Sequence, residues 1–183
     1  GVVQSDLAGG MRAAVAHLIA QGHRRIALIY GPDWWWPAQE RVRAFLEGLH
    51  AGGLVPEPAL IRSVAMAVAP AYAETDALLR LPDPPTALIV GGNILLLGVL
   101  RALQAHECAV GRDLALVGAD DLDLTQLYSP PISVITRDLT RRGEAAVELL
   151  AETIRQGRGR TVVLPTELII RESSTRWRRP GGP

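Results

Sequence analysis

The chain has 183 residues, enough for one large domain or two small ones, and 48% of them are hydrophobic, which supports a substantial core and excludes a disordered chain. Nineteen basic residues, all arginine, balance nineteen acidic ones, so no charge excess points to nucleic acid or to a metal sponge. A single cysteine, Cys108, excludes an internal disulfide, and no apolar run reaches the 18 residues of a membrane span. Residues 1–6, GVVQSD, read as the end of an apolar strand. Asp6 reads as a helix N-cap, followed by Leu7, Met11, Val15 and Leu18 on one stripe up to Gly22. Ile26–Tyr30 is an unbroken apolar run closed by Gly31-Pro32, the signature of a strand buried on both faces. Pro37 opens a helix with Val42, Phe45, Leu46 and Leu49 inward, and Gly52-Gly53 ends it. A weaker strand is expected at 60–66 and a helix at 70–81, stopped by Pro82, Pro84 and Pro85. Thr86–Val90 reads as a buried strand, 94–105 as an apolar helix, and Leu114–Val117 as the next strand.

Strand, turn and helix recur every 25–30 residues or so. That rhythm predicts an α/β fold with a parallel sheet flanked by helices, all strand-to-helix turns on one sheet edge. Ligands of such sheets bind beyond the carboxyl ends of the strands. Three of these ends are chemically distinctive: GPDWWWPAQER (31–41), Gly91-Gly92-Asn93, and Gly118-Ala119-Asp120-Asp121. A guanidinium, an amide and carboxylates beside aromatic faces suit a small polyhydroxylated or heterocyclic ligand. They do not make a proton-transfer or nucleophile set. G-x-S-x-G, P-loop and G-x-G-x-x-G motifs are absent, so the sequence points to no enzyme and to no cofactor. His17, His23, His50 and His106 lack metal-ligand spacing, and no metal is expected. Cys108 has no local base and reads as a structural thiol.

The stretches VVQSDLAGGMRAAVAHLIAQGHRRIALIYGP, ERVRAF, PTALIVGGN, DLALVGADD, SPPISVI, GEAAVELL and LPTELIIRESST, in this order, resemble the effector-binding core of the LacI/GalR transcriptional regulators. The resemblance covers nearly the whole chain. It implies the periplasmic-binding-protein-like type I fold, here an incomplete two-lobe core. Residues 1–135 would form the C-terminal lobe, 136–175 the return crossover helix and final strand, and 176–183 a flexible tail. It also implies an effector, a sugar or related metabolite, held by Arg41 of the family's R-x-x-G-F pattern (Ala44 stands at the glycine here), Asn93, and Asp120 of its G-[FY]-D-D pattern. Asp121, Trp34 and Trp35 join them as candidate ligand-binding residues. Where the family pattern has an aspartate after the asparagine and an aromatic before the first aspartate, this chain has Ile94 and Ala119. Residues 64–68 carry no aromatic, so the Trp34–Trp36 run is the candidate stacking face.

By the same resemblance the apolar helix LLLGVLRAL and the loop after Asp121 imply a homodimer. DNA would be reached only through a headpiece outside this sequence, in the cytoplasm. The helix near 138–156 carries Leu139, Ala146, Val147, Leu150 and Ile154 on one face, expected to pack on a lobe this sequence lacks or to promote association. The alternatives are a periplasmic sugar- or solute-binding protein, an enzyme of doubly wound fold, and a truncated remnant that binds nothing.

Overall fold

A computed structural model describes residues 1–175. The expectation for the tail at 176–183 lies outside the described residues. In chain order the elements are β1 (Val2–Ser5), α1 (Leu7–Ala20), β2 (Ile26–Tyr30), α2 (Trp36–Ala51), β3 (Ile61–Ser63), α3 (Val68–Leu79), β4 (Ala87–Val90), α4 (Asn93–Ala105), β5 (Ala115–Ala119), α5 (Asp123–Leu127), β6 (Ser133–Arg137), α6 (Leu139–Gln156), β7 (Thr161–Leu164) and β8 (Thr166–Ile169).

Six strands form the main sheet in the order β3-β2-β4-β5-β6-β8, parallel except for β8, which runs antiparallel to β6. Leu28 lies opposite Ile89, and Val117 opposite Ser133. Alternate residues of each strand feed two cores. Ile29, Leu88, Val90, Leu116 and Val134 meet Ala71, Leu78, Leu95, Val99 and Leu103 of α3 and α4. Leu28, Tyr30, Ile89 and Val117 meet Met11, Val15, Leu18, Phe45 and Leu49 of α1 and α2. Burial on both faces is why the strands read as unbroken apolar runs. Asp6 caps α1, its Oδ1 accepting from Gly9 N at 3.0 Å. Where α4 crosses α3, a Cβ on Gly98 would run into the Val68 carbonyl and lie 2.8 Å from Ala71 Cβ, so only glycine permits this approach.

The expected strand at 60–66 is only three residues long, and the helix expected at 70–81 occupies Val68–Leu79 with Pro70 in its first turn. The last strand is two. Pro165 lacks an N–H and interrupts the ladder: β7 pairs in parallel with β1 as a separate ribbon, while β8 joins the main sheet. The helix LLLGVLRAL buries most of its apolar surface in the core shared with α3 and the sheet, with Leu95, Leu96, Val99, Leu100 and Leu103 buried. The apolar groups left outside are Ile94 on α4 and Leu122, Leu124 and Leu127 around α5.

Among its apolar residues helix α6 buries Ala145 and Leu149, while Leu139, Val147, Leu150 and Ile154 are exposed. An exposed apolar patch of this kind drives association in water. The chain by itself should bind an apolar fluorescent dye at neutral pH and self-associate at micromolar concentration. A Leu150→Gln/Ile154→Gln variant should lose most of the dye signal; an unchanged signal would show that the dye reads a different surface.

Candidate functional site

The strand order reverses between β2 and β4, and a crevice opens there beyond the carboxyl ends of the strands. It holds a cavity of about 500 Å3, within the range of small-molecule sites. Its walls come from the loop after β2 and the start of α2 (Trp35, Trp36, Pro37 and Arg41), the turn after β4 and the start of α4 (Gly91 to Ile94), Asp120 after β5, Arg137 at the end of β6, Met66, Arg142 of α6, and β1.

Asp120 is the hub. It adopts the left-handed conformation (φ +59°), which aspartate tolerates better than most residues, and its N–H donates to Ile135 O at 2.9 Å. Arg137 grips the carboxylate in a fork, Nε to Oδ1 at 2.7 Å and Nη2 to Oδ2 at 2.6 Å. Asn93 Nδ2 donates to Oδ2 at 3.2 Å. That donation orients the amide and leaves Asn93 Oδ1 a buried acceptor with no hydrogen-bond partner among the described residues. Arg41 has no carboxylate within ion-pair distance among the described residues; its side chain donates only to Pro37 O at 3.4 Å. Burial first, and then the neighbouring Arg137 cation, push its guanidinium below the ordinary arginine value, while Asp120 works the other way.

The aromatic wall is positioned by Tyr30. Its hydroxyl donates to Asp33 Oδ1 at 2.6 Å, and burial together with that carboxylate pushes the phenol up to about 12. Gln39 Nε2 donates to Asp33 O at 2.7 Å and closes the same turn. Trp35 lies over Gly31, where a Cβ would come within 3.3 Å of its ring and 2.9 Å of Met66 Sδ.

The fold thus brings Arg41, Asn93, Asp120 and Trp35 together, and adds Trp36. It does not bring Trp34 or Asp121 there. Trp34 is 81% exposed. Asp121 turns the other way, accepting from Arg171 at 2.8 Å and from the Thr125 hydroxyl at 3.2 Å. Sequence reading missed Arg137, Arg142 and Met66. Arg137 carried a usable signal, since it ends a strand at the same sheet edge as Asp120.

Ser133, Ser173 and Ser174 are fully buried; Ser174 meets His17 at 2.9 Å and Ser133 at 2.7 Å, tying the segment after β8 to α1 and β6. Burial pushes the Cys108 thiol up to about 11, the wrong direction for a nucleophile. Among the described residues no group of three or more His, Cys, Asp or Glu side chains could hold a metal ion, and no helix is long and apolar enough to cross a membrane.

Residues 15–174 match the periplasmic binding protein-like domain family. The chain is 31% identical over 166 residues to the HTH-type transcriptional repressor CytR of Escherichia coli, covering 88% of this chain and 48% of CytR. Among solved structures it superposes on the transcriptional regulator CelR in complex with cellobiose with a TM-score of 0.85 at 32% identity, covering 93% of this chain and 53% of CelR. It superposes on the lac repressor dimer bound to operator and the anti-inducer ONPF with a TM-score of 0.84 at 28% identity, covering 94% and 52%. The chain spans about half the length of the curated relatives it matches. The sheet order, the crevice at its switch point and these likenesses agree: the chain belongs to the LacI/GalR family of transcriptional regulators, through its periplasmic-binding-protein-like effector domain.

Proposed function

We propose that the cavity is an effector site. It takes a small polyhydroxylated metabolite, a sugar or a close derivative, and the chain acts as part of a cytoplasmic transcriptional regulator. The observation that carries this reading is the buried, unpartnered Asn93 Oδ1 at the cavity wall. An orphaned buried acceptor is costly, and a ligand hydroxyl would satisfy it. Asp120 and Arg41 then bind neighbouring polar groups, and Trp35 covers an apolar C–H face. Residues 1–135 serve as one lobe and 136–175 as the returning segment of a two-lobed core. Effector binding between the lobes would favour one lobe arrangement and so bias a DNA-binding headpiece outside this sequence. The cellobiose held by CelR supports the sugar class, and the dimeric lac repressor on its operator supports a homodimer and DNA as partners. For this chain the dimer surface would be the apolar remainder around α4 and α5, where Leu127 is 83% exposed.

Calorimetric titration of the full chain with mono- and disaccharides and their acidic derivatives tests the site. At least one should bind, and Asn93→Ala should weaken it by roughly tenfold, the worth of one buried hydrogen bond. Binding indifferent to both Asn93→Ala and Asp120→Ala would place the effector elsewhere.

A further inference from the structure

The cavity is electrostatically lopsided. Three guanidiniums line it, those of Arg41, Arg137 and Arg142, against one carboxylate, Asp120. Asp120 already gives both oxygens to Arg137 and one of them also to Asn93. Among the described residues no carboxylate reaches ion-pair distance of Arg41 or Arg142, so the cavity keeps two guanidiniums without an ion-pair partner, Asp120 offsetting part of the Arg41 charge from farther away. Arg41 feels this directly, because burial and Arg137 both disfavour its charge.

The backbone adds to the imbalance. Helix α4, thirteen residues long, starts at the cavity wall with no side-chain cap, and its first intrahelical bond runs from Leu96 N to Gly92 O. The amino end of its dipole therefore faces the same space as the arginines. Gly91 and Gly92 line the wall there, and a Cβ at Gly92 would lie 2.8 Å from Met66 Cε. A neutral sugar filling this cavity would shut water away from unpaired cations, which is unfavourable; an anionic group would pair with them.

Resting on the effector-site reading above, we propose that the effector is an anionic polyhydroxylated metabolite, a sugar phosphate or a sugar acid. Its charged group sits with Arg41 at the amino end of α4, and Arg142 adds charge from α6. Its hydroxyls reach Asn93 Oδ1, and Trp35 covers its carbon face.

The test is calorimetry of the full chain with glucose, cellobiose, glucose 6-phosphate, gluconate and inorganic phosphate, at low and raised salt. At least one of the two anionic sugars should bind about tenfold or more tighter than glucose, and the preference should shrink as salt rises. Arg41→Gln should remove most of that preference, whereas Arg155→Gln, on the exposed side of α6 away from the cavity, should leave it intact. Stronger binding of glucose 6-phosphate identifies the phosphate ester, and stronger binding of gluconate the sugar acid; both support the proposal. Neutral sugars binding as tightly as the anionic ones, and weakened by Asn93→Ala, would overturn the anion and leave the effector site standing. Inorganic phosphate binding as tightly as either anionic sugar would overturn it too, since the hydroxyls would then contribute nothing. Loss of the preference in Arg155→Gln would assign it to the general surface field and overturn the site. Binding of none of the five would overturn both readings.

Discussion

Asp120→Ala is expected to destabilise the chain by about 3 kcal/mol, the scale of leaving one partner of a largely buried ion pair uncompensated. The Asp120 and Arg137 side chains are only 19% and 26% exposed, so water screens the pair weakly. Removing the carboxylate leaves Arg137 beside Arg41 with no anion between them, and Asn93 Nδ2 without its acceptor. The backbone adds a second penalty, because alanine is less at ease than aspartate at φ +59°. Asp120→Asn separates the two contributions: asparagine tolerates the left-handed turn and keeps one acceptor for Arg137, so it should cost about half as much. Arg137→Met should be milder still, since Asp120 keeps Asn93 and gains Arg41 as its nearest cation. In urea unfolding, the Asp120→Asn/Arg137→Met double variant should recover about 1–2 kcal/mol relative to the sum of the single ones. Strict additivity would mean the fork contributes no net stability. Effector binding should fall more steeply than stability, because Asp120 holds both Asn93 and Arg137 in place.

How much of this was legible in the sequence depended on whether a feature was local. Ile26–Tyr30 and Thr86–Val90 announce strands buried on two faces because every side chain must be apolar when helices cover both sides. The turns that follow announce a ligand edge because polar groups stand where the strands end. The pairing of β7 with β1 and of β8 with β6 is decided by partners distant in the sequence, from Arg137 with Thr166 to Val2 with Thr161, and only Pro165 marked the break between them. The two adjacent aspartates show the same limit. A left-handed Asp120 sends its own carboxylate to Arg137, and Asp121 goes to Arg171, fifty residues on. Composition and spacing do not distinguish the two. Trp34, Trp35 and Trp36 were equivalent in sequence; the turn held by Tyr30 and Asp33 turns only the last two into the cavity.

Acidification from pH 7.5 to 5 is expected to remove about 2 kcal/mol of stability through His23 alone. The imidazole is fully buried at the turn between α1 and β2, paired with Thr86 Oγ1 at 2.9 Å. Burial, and secondarily the nearby His17, lower its pKa to about 4 from the usual 6.5. A base whose folded pKa is depressed stays neutral in the folded chain while the unfolded chain takes up a proton. Its stabilisation is therefore complete above pH 6.5, declines as pH falls from 6.5 to 4, and declines no further below that. His17 is shifted in the same direction, chiefly by burial, so it steepens the slope. His23→Asn keeps a hydrogen-bonding group for Thr86 without the titration, and should flatten the difference between urea midpoints at pH 7.5 and 5 by the His23 share. His17→Gln should flatten it less. If His23→Asn left the slope unchanged, the folded chain would be admitting a proton at His23 near pH 6, and the turn between α1 and β2 would have to open to let it in. Because Thr86 leads directly into β4, whose far end carries Gly91, Gly92 and Asn93, an opening there would loosen the strand that delivers the cavity's orphaned acceptor. Effector affinity would then fall with pH alongside stability, whereas a closed turn predicts stability loss at pH 5 with affinity held until the chain unfolds.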